Sequence, residues 1–243
     1  MCGRYAITLP PEAVRAYFAF VEQPNFPPRF NIAPTQPIPV VAADPATRGG
    51  ARHFVLMRWG FLPGFVKDPK TFPLIVNARA ETLAEKPSYR AALRRRRCLV
   101  IADGFYEWRK DPPGARRQPG KRPHLVRRRS GEPMGFAGLY ETWSDPSGGE
   151  IDTACIVTTA ANALVGRLHD RMPAILEPEA FAAWLDVDAV DPAHALALLQ
   201  PAPEEALELV EVGPAVNRVA NDDESLQEPV AAPIRAGMRE TLF

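Results

Sequence analysis

Cysteine is scarce in this chain of 243 residues. Three thiols, Cys2, Cys98 and Cys155, are too few and too scattered for a disulfide framework, and no CxxC or HExxH spacing offers a zinc site. Reduced thiols, no metal and no cofactor are therefore expected. Also lacking is any run of about 20 apolar residues, and no basic segment followed by an apolar one opens the chain. Neither a membrane span nor a secretory signal is indicated, so the expected location is the cytoplasm, on the nucleoid if the source is bacterial. No repeat or linker divides the sequence, whose length suits one large domain over 1–243, acting as a monomer.

Net charge is absent as well, since 29 Lys and Arg balance 29 Asp and Glu. That zero conceals a division. Residues 1–140 carry 24 basic against 10 acidic side chains and residues 141–243 carry 5 against 19, giving +14 and −14. The densest basic runs are RRRR at 94–97, RKDPPGARRQPGKR at 109–122 and RRR at 127–129. A single run of this kind is most often a solvated face. Three of them within 40 residues point the basic half toward a polyanion.

What the chain has in quantity is proline, 27 residues, interrupting many short apolar runs. Strands are expected at 5–9, 38–42, 53–59, 98–108, 124–129, 134–140, 155–159 and 207–212. Helices are expected at 12–20, 81–94 in two pieces, 162–168, 178–185 and 192–199, several opening after Pro, Thr or Asp. Strands and long helices do not alternate regularly, which argues against a doubly wound parallel sheet. The expected class is α+β: a mixed or antiparallel sheet, curled toward a barrel, with helices outside. The tail after residue 217, rich in Asp, Glu, Pro and Gly, reads as partly irregular.

The first residues, MCGRYAI, carry unusual chemistry. Once Met1 is removed, Cys2 holds a free α-amine and a thiol on adjacent carbons. With a pKa of about 7.7–8.0, roughly 10–20% of an α-amine is free base at pH 7, against about 0.04% of a lysine. The terminal amine therefore captures an aldehyde first, and the thiol can close onto the same carbon as a five-membered thiazolidine. Such a ring resists hydrolysis far better than an open imine. Two other readings of Cys2 stand beside this one. It is a small residue suited to an N-terminal strand, and it could serve an N-terminal-nucleophile amidohydrolase whose own α-amine is the base. Glutamine amidotransferases of that class also begin Cys-Gly, but no convincing set of motifs for holding glutamine follows here.

Four further segments join turn-forming or strand-like context to polar groups that bury poorly: FNIAPTQ at 30–36, VNARAET at 76–82, ADGFYEW at 102–108 and HDRMPAIL at 169–176. In the second, Asn77, Arg79 and Glu81 share one face if the segment is extended. In the third, Glu107 stands between Tyr106 and Trp108, where a carboxylate suits general acid and base work or an arginine salt bridge. His169 before Asp170 and Arg171 reads as a titratable group or a solvated end.

In order, CGRY, FNIAPTQ, RWGFLPGF, NARAET, CLVIADGFYEW, GLYETW, CIVTTAAN and HDRMPAIL resemble the SRAP family, the SOS response-associated peptidases. The likeness runs from Cys2 to about Trp184 and continues more weakly at Val216 and Asn217. It implies a protein that senses abasic sites in single-stranded DNA and links itself to them through a thiazolidine on Cys2, shielding the lesion from strand cleavage. By the same resemblance, Asn77 orients the terminal cysteine or the sugar, Glu107 helps open the sugar ring, and His169 stands near the Schiff base. Arg4 and Arg79 are similar to arginines that hold phosphates beside the lesion, and Arg171, Trp59 and Phe65 join the DNA-binding set.

These roles make physical sense. An abasic sugar is mostly a closed hemiacetal, so a proton must move before any aldehyde exists, and carbinolamine dehydration needs an acid. Arginine offers phosphates a planar fork, and aromatics offer bases a stacking face, for which Trp59, Phe61, Phe65 and Trp108 are candidates. Phe65 stands where the family commonly has tryptophan, which removes an indole donor. Two alternatives stay open: a cysteine peptidase or amidohydrolase using Cys2, and a non-covalent single-strand binder driven by the basic half.

Overall fold

In the computed structural model, which describes residues 2–43, 50–110, 121–145 and 148–237, fourteen strands and four α-helices follow one another among these residues. The first half holds β1 (Tyr5–Ile7), α1 (Pro11–Phe18), β2 (Arg29–Ile32), β3 (Pro37–Ala43), β4 (Arg52–Trp59), β5 (Asn77–Arg79), α2 (Pro87–Arg95), β6 (Arg97–Ala102) and β7 (Gly104–Lys110). The second holds β8 (Lys121–Arg128), β9 (Met134–Ser144), β10 (Glu150–Ala160), β11 (Arg171–Pro173), β12 (Ile175–Leu176), α3 (Pro178–Leu185), α4 (Pro192–Ala197), β13 (Leu207–Glu211) and β14 (Ile234–Arg235).

Five strands close on themselves in the order β4, β3, β6, β9, β10 and back to β4. An odd ring cannot alternate direction throughout. The one parallel joint falls between β10 and β4, at Ala154 opposite Trp59, while the other four joints are antiparallel. The strands read as half-buried surfaces of period two: on β4, Met57 and Trp59 are buried while Leu56 is 56% exposed. At Gly138 on β9 a Cβ would stand 2.9 Å from Cys98 Sγ and 3.1 Å from the Cys155 carbonyl oxygen, so only glycine fits. Helices α2 and α3 cover the outer side of β6 and β9. Thus the α+β class with a barrel-like mixed sheet and helices outside is the fold that forms. No helix among the described residues is long and apolar enough to cross a membrane.

A second sheet, in the order β14, β13, β8, β7, β1, β2, packs on the barrel through its own buried face. Phe105 meets Phe136 edge-on at 5.9 Å, and Tyr5 meets Trp59 at 5.3 Å. This sheet carries the N-terminus. β1 lies between β2 and β7, with Tyr5 opposite both Ile32 and Phe105, and the Tyr106 N–H continues the ladder to the Arg4 carbonyl at 2.9 Å.

Several local expectations need correction. The single strand expected at 98–108 is two, β6 in the barrel and β7 in the second sheet. The break is at Asp103, whose half-buried carboxylate accepts the Thr8 and Leu9 N–H groups and the Thr8 hydroxyl, turning the chain from one sheet to the other. The helix expected at 162–168 shrinks to a 3₁₀ turn at Val165–Arg167, since the Asn162 side chain binds the Val165 N–H and the Ala202 carbonyl instead of continuing a helix. β2 and β5 are strands that the sequence pattern does not mark, being too short to show a period. The tail after residue 217 carries one 3₁₀ turn, Glu224–Gln227, and the short β14 between stretches without regular structure, and hydrogen bonds described below pin it.

Part of the charge division has an internal explanation. Ion pairs join the two halves at Arg29 and Asp222, Arg96 and Glu141, Arg122 and Glu211, Arg127 and Glu208, and Arg128 and Glu177. Arg97, buried, gives its guanidinium to the carbonyls of Leu93, Trp184, Asp186 and Val190. Two of the three basic runs, 94–97 and 127–129, therefore serve the fold at least as much as any polyanion. The middle of the third, 111–120, lies outside the described residues.

All three thiols are buried. Burial pushes each of them up, Cys155 to about 12. Above their ordinary value near 9 the unfolded chain releases these protons while the folded chain keeps them, so stability falls as pH rises. For Cys155 the contribution is complete below about pH 9 and is lost progressively toward about 12, by up to about 1.4 kcal/mol per pH unit. The urea midpoint should drop between about pH 8 and about pH 10.5, and replacing Cys155 by alanine should lessen the drop. A midpoint flat across that window, or one whose drop ignores the substitution, would contradict this linkage.

Candidate functional site

The N-terminal segment reaches the rim of the second sheet, where three distant pieces of sequence meet. Asn77 opens β5, which runs parallel to β10 with Asn77 opposite Ile156 and Arg79 opposite Thr158. Its Nδ2 donates to the Cys2 carbonyl oxygen at 2.8 Å, holding the cysteine by its backbone and leaving its amine and thiol for chemistry. The remaining Asn77 oxygen, Oδ1, is buried with no protein partner. The Cys2 thiol is fully buried and directs its S–H toward the Arg4 carbonyl at 3.8 Å. Burial, and next the negative charge of Glu107, push this thiol well above the ordinary cysteine range, so it rests as a neutral S–H.

Glu107 comes from β7 and is 4% exposed. Directly opposite it on β8 stands His124, fully buried, with Nδ1 bonded to the Arg122 carbonyl at 3.1 Å. A proton on Nδ1 follows, and burial holds this ring below the ordinary histidine range, so it stays neutral. The two residues share one face of the sheet with Tyr5, whose hydroxyl is buried and has no protein partner.

Arg4 and Trp108 form the neighbouring wall. The Arg4 guanidinium lies over the Trp108 ring at 5.9 Å and gives Nη1 to Asn31 Oδ1 at 2.7 Å and to the Val216 carbonyl at 2.8 Å. The Trp108 indole N–H binds Asn217 Oδ1 at 2.6 Å. The weak sequence signal at Val216 and Asn217 thus has a definite use, fastening the tail to this wall.

At the end of β5, Arg79 is exposed. Arg171 is not free: it grips Glu81 with two bonds of 2.6 and 2.9 Å and reaches the Thr158 carbonyl at 2.6 Å. It thereby clamps NARAET to HDRMP. His169 precedes this clamp and is partly exposed. Its Nδ1 lies 3.0 Å from the Arg171 N–H, a bond for the neutral ring, and 2.7 Å from the Asp170 carboxylate, a bond for Nδ1–H. Nδ1 thus has both a donor and an acceptor beside it.

Of the aromatic candidates, Trp59 is fully buried and gives its indole N–H to the Val76 carbonyl at 2.9 Å, and Phe61 is buried too. These two are core, so the expectation of a stacking role for Trp59 is corrected. Phe65 is 62% exposed with an edge contact to Phe72 at 6.3 Å, and it does offer a face.

The sequence pattern marks FNIAPTQ as a segment but assigns no role to Asn31, and it assigns none to His124 or Tyr5. Nothing in their local surroundings singles them out, because their neighbours come from β7, β13 and the tail. Among the described residues, then, the fold brings together Cys2, Asn77, Glu107, Arg4 and Trp108. The arrangement presents an aminothiol held by its carbonyl, a buried carboxylate, and orphaned polar atoms nearby. It is suited to nucleophilic capture of an electrophilic carbon, with proton transfer alongside.

A family model described as SOS response associated peptidase (SRAP) matches residues 1–219. The chain is 36% identical over 231 residues to abasic site processing protein YoqW of Bacillus subtilis, covering 94% of this chain and 99% of that protein. It is 30% identical over 269 residues to abasic site processing protein HMCES of Xenopus tropicalis, covering 96% and 79% respectively. Among solved structures, a Bacteroides thetaiotaomicron protein superposes with a TM-score of 0.81 at 24% identity, over 95% of this chain and 100% of that one, a likeness of fold. A phage-related protein of Bordetella bronchiseptica superposes at 0.68 with 29% identity, over 87% and 94%. With this match over most of its length, the chain belongs to the SRAP family.

Proposed function

We propose that this protein processes abasic sites in single-stranded DNA by linking itself to the lesion through Cys2 after removal of Met1. The observation that carries the reading is the 2.8 Å bond from Asn77 to the Cys2 carbonyl, which holds an N-terminal aminothiol beside buried Glu107. The names of the relatives, abasic site processing proteins, point the same way.

The chemistry runs in three steps. Glu107 takes the proton of the sugar's 1-hydroxyl and delivers it to O4′, which opens the hemiacetal to an aldehyde. The free amine of Cys2 attacks that carbon and the carbinolamine loses water, with His169 supplying the acid, to leave an imine. The thiol then adds across the C=N bond, sulfur to carbon and proton to nitrogen, closing the thiazolidine. One water is released overall and no redox partner is needed. A neutral thiol suits this last step, since it brings its own proton.

The test is denaturing gel electrophoresis with intact mass on Met1-processed protein mixed with single-stranded DNA bearing one abasic site. Duplex abasic DNA and intact strands are the controls. A heat-stable band that needs the lesion supports the reading. Ordinary salt-dependent binding without a band would favour a non-covalent module, and no DNA interaction would turn attention to amide substrates.

A further inference from the structure

Asn31 is the most fully engaged side chain near the site. It is wholly buried, and its Nδ2 lies 2.7 Å from the Asn221 carbonyl, 3.1 Å from that of Arg218 and 3.2 Å from that of Val216. Its Oδ1 takes the Arg4 Nη1 at 2.7 Å. Asp222 completes the knot, accepting the Phe30 and Asn31 N–H groups on one oxygen and pairing with Arg29 at 2.6 Å through the other. The tail is thereby wound around one asparagine, and one end of one arginine is fastened to both.

The consequence falls on the guanidinium. Nη1 has both its hydrogens engaged by Asn31 Oδ1 and the Val216 carbonyl, while Nε is shielded from solvent and has no protein partner. A buried donor left unmade costs about 1–3 kcal/mol, a cost removed when an acceptor arrives. Nε and Nη2 share the side edge of the plane, which matches two oxygens of a phosphate. The ring of Trp108 below the plane limits its rotation.

We infer that Asn31 is a positioning residue for Arg4: by binding Nη1 and gathering the backbone of residues 216–221, it leaves the Nε/Nη2 edge as the receiver for a DNA phosphate. Insofar as the phosphate belongs to DNA, this rests on the function proposed above. Asn31 touches no substrate itself. It makes the competence of the site depend on the tail, which lies more than 180 residues away in sequence.

Binding is measured on single-stranded DNA carrying a tetrahydrofuran abasic analogue, which has no aldehyde and so isolates affinity from crosslinking. Asn31→Ala should weaken binding about tenfold and lower the salt slope by about 0.7, one phosphate's worth on a single strand. In an Arg4→Ala background the same change should cost less than about twofold, because its effect passes through Arg4. Equal losses in both backgrounds, or an unaltered salt slope, would overturn the inference. Should Asn31→Ala fail to fold, Arg4→Lys keeps the charge but has no side edge to present. It should bind as weakly as Arg4→Ala, and wild-type binding by Arg4→Lys would refute the edge geometry. A readout without DNA separates this inference from the proposed function: titration of inorganic phosphate followed at the Arg4 Nε–H by ¹⁵N–¹H spectroscopy. A saturable shift in a wild-type protein that ignores DNA would leave the inference standing and sink the DNA reading. No shift at Nε–H in the wild type would sink the inference itself.

Discussion

Cys2→Ala should lose the heat-stable adduct to background while binding abasic single strands with near-normal affinity. Alanine leaves the α-amine in place and leaves the Asn77 bond untouched, since that bond is made to the backbone carbonyl of residue 2. The variant is therefore still expected to form an imine. What it cannot do is close a ring, so the imine hydrolyses on denaturation. Borohydride, which reduces an imine to a stable amine, should restore a band for Cys2→Ala, and without borohydride there should be none. A heat-stable adduct from Cys2→Ala in the absence of reductant would remove the thiol from the mechanism. A failure to trap anything with borohydride would instead locate the nucleophile elsewhere.

The second large effect is expected at Glu107. Glu107→Gln preserves the size of the side chain but cannot take up and return a proton. General acid and base catalysis is typically worth about 10²–10⁴-fold, so adduct formation should slow by about that range while affinity for the tetrahydrofuran analogue changes little. The same change removes the negative charge that, after burial, raises the Cys2 thiol, so the thiol should ionise more readily in the variant. These two consequences oppose each other in an informative way. If ionising the thiol were the slow step, Glu107→Gln would be faster than wild type; if proton transfer at the sugar is slow, it is much slower. Wild-type rates in single-turnover measurements would withdraw the proton shuttle from Glu107.

Much of the site is legible in the linear sequence. Cys2 can be read there because reactivity at a chain terminus is a property of one residue and its neighbour, independent of the fold. Asn77 and Glu107 stand out as polar groups inside strand-like segments, where burial demands a partner or a purpose. The aromatics are legible as a class but not one by one. Trp59 and Phe65 belong to one short sequence, yet one is core and the other exposed, because the barrel wall ends between them and the chain leaves it at Gly60, whose φ of +148° suits glycine. Charge is the least transparent feature. A basic half and an acidic half suggest an external polyanion, whereas many of these groups neutralise each other across the sheets.

What the sequence by itself determined is the chemistry available: an aminothiol at the terminus, reduced cysteines without metal spacing, a carboxylate between aromatics, and short strands punctuated by proline that favour a curled sheet over a doubly wound one. Those follow from residue type and local period, which need no long-range contact. The tertiary structure alone decided which groups meet. The five-stranded closure with its single parallel joint, the bond from Asn77 to residue 2, the clamp of Arg171 on Glu81 and the tail wound on Asn31 each join residues some 75 to 190 positions apart. Such contacts are selected by the packing of whole sheets and by the need to satisfy buried donors and acceptors, and no window of local sequence contains both partners.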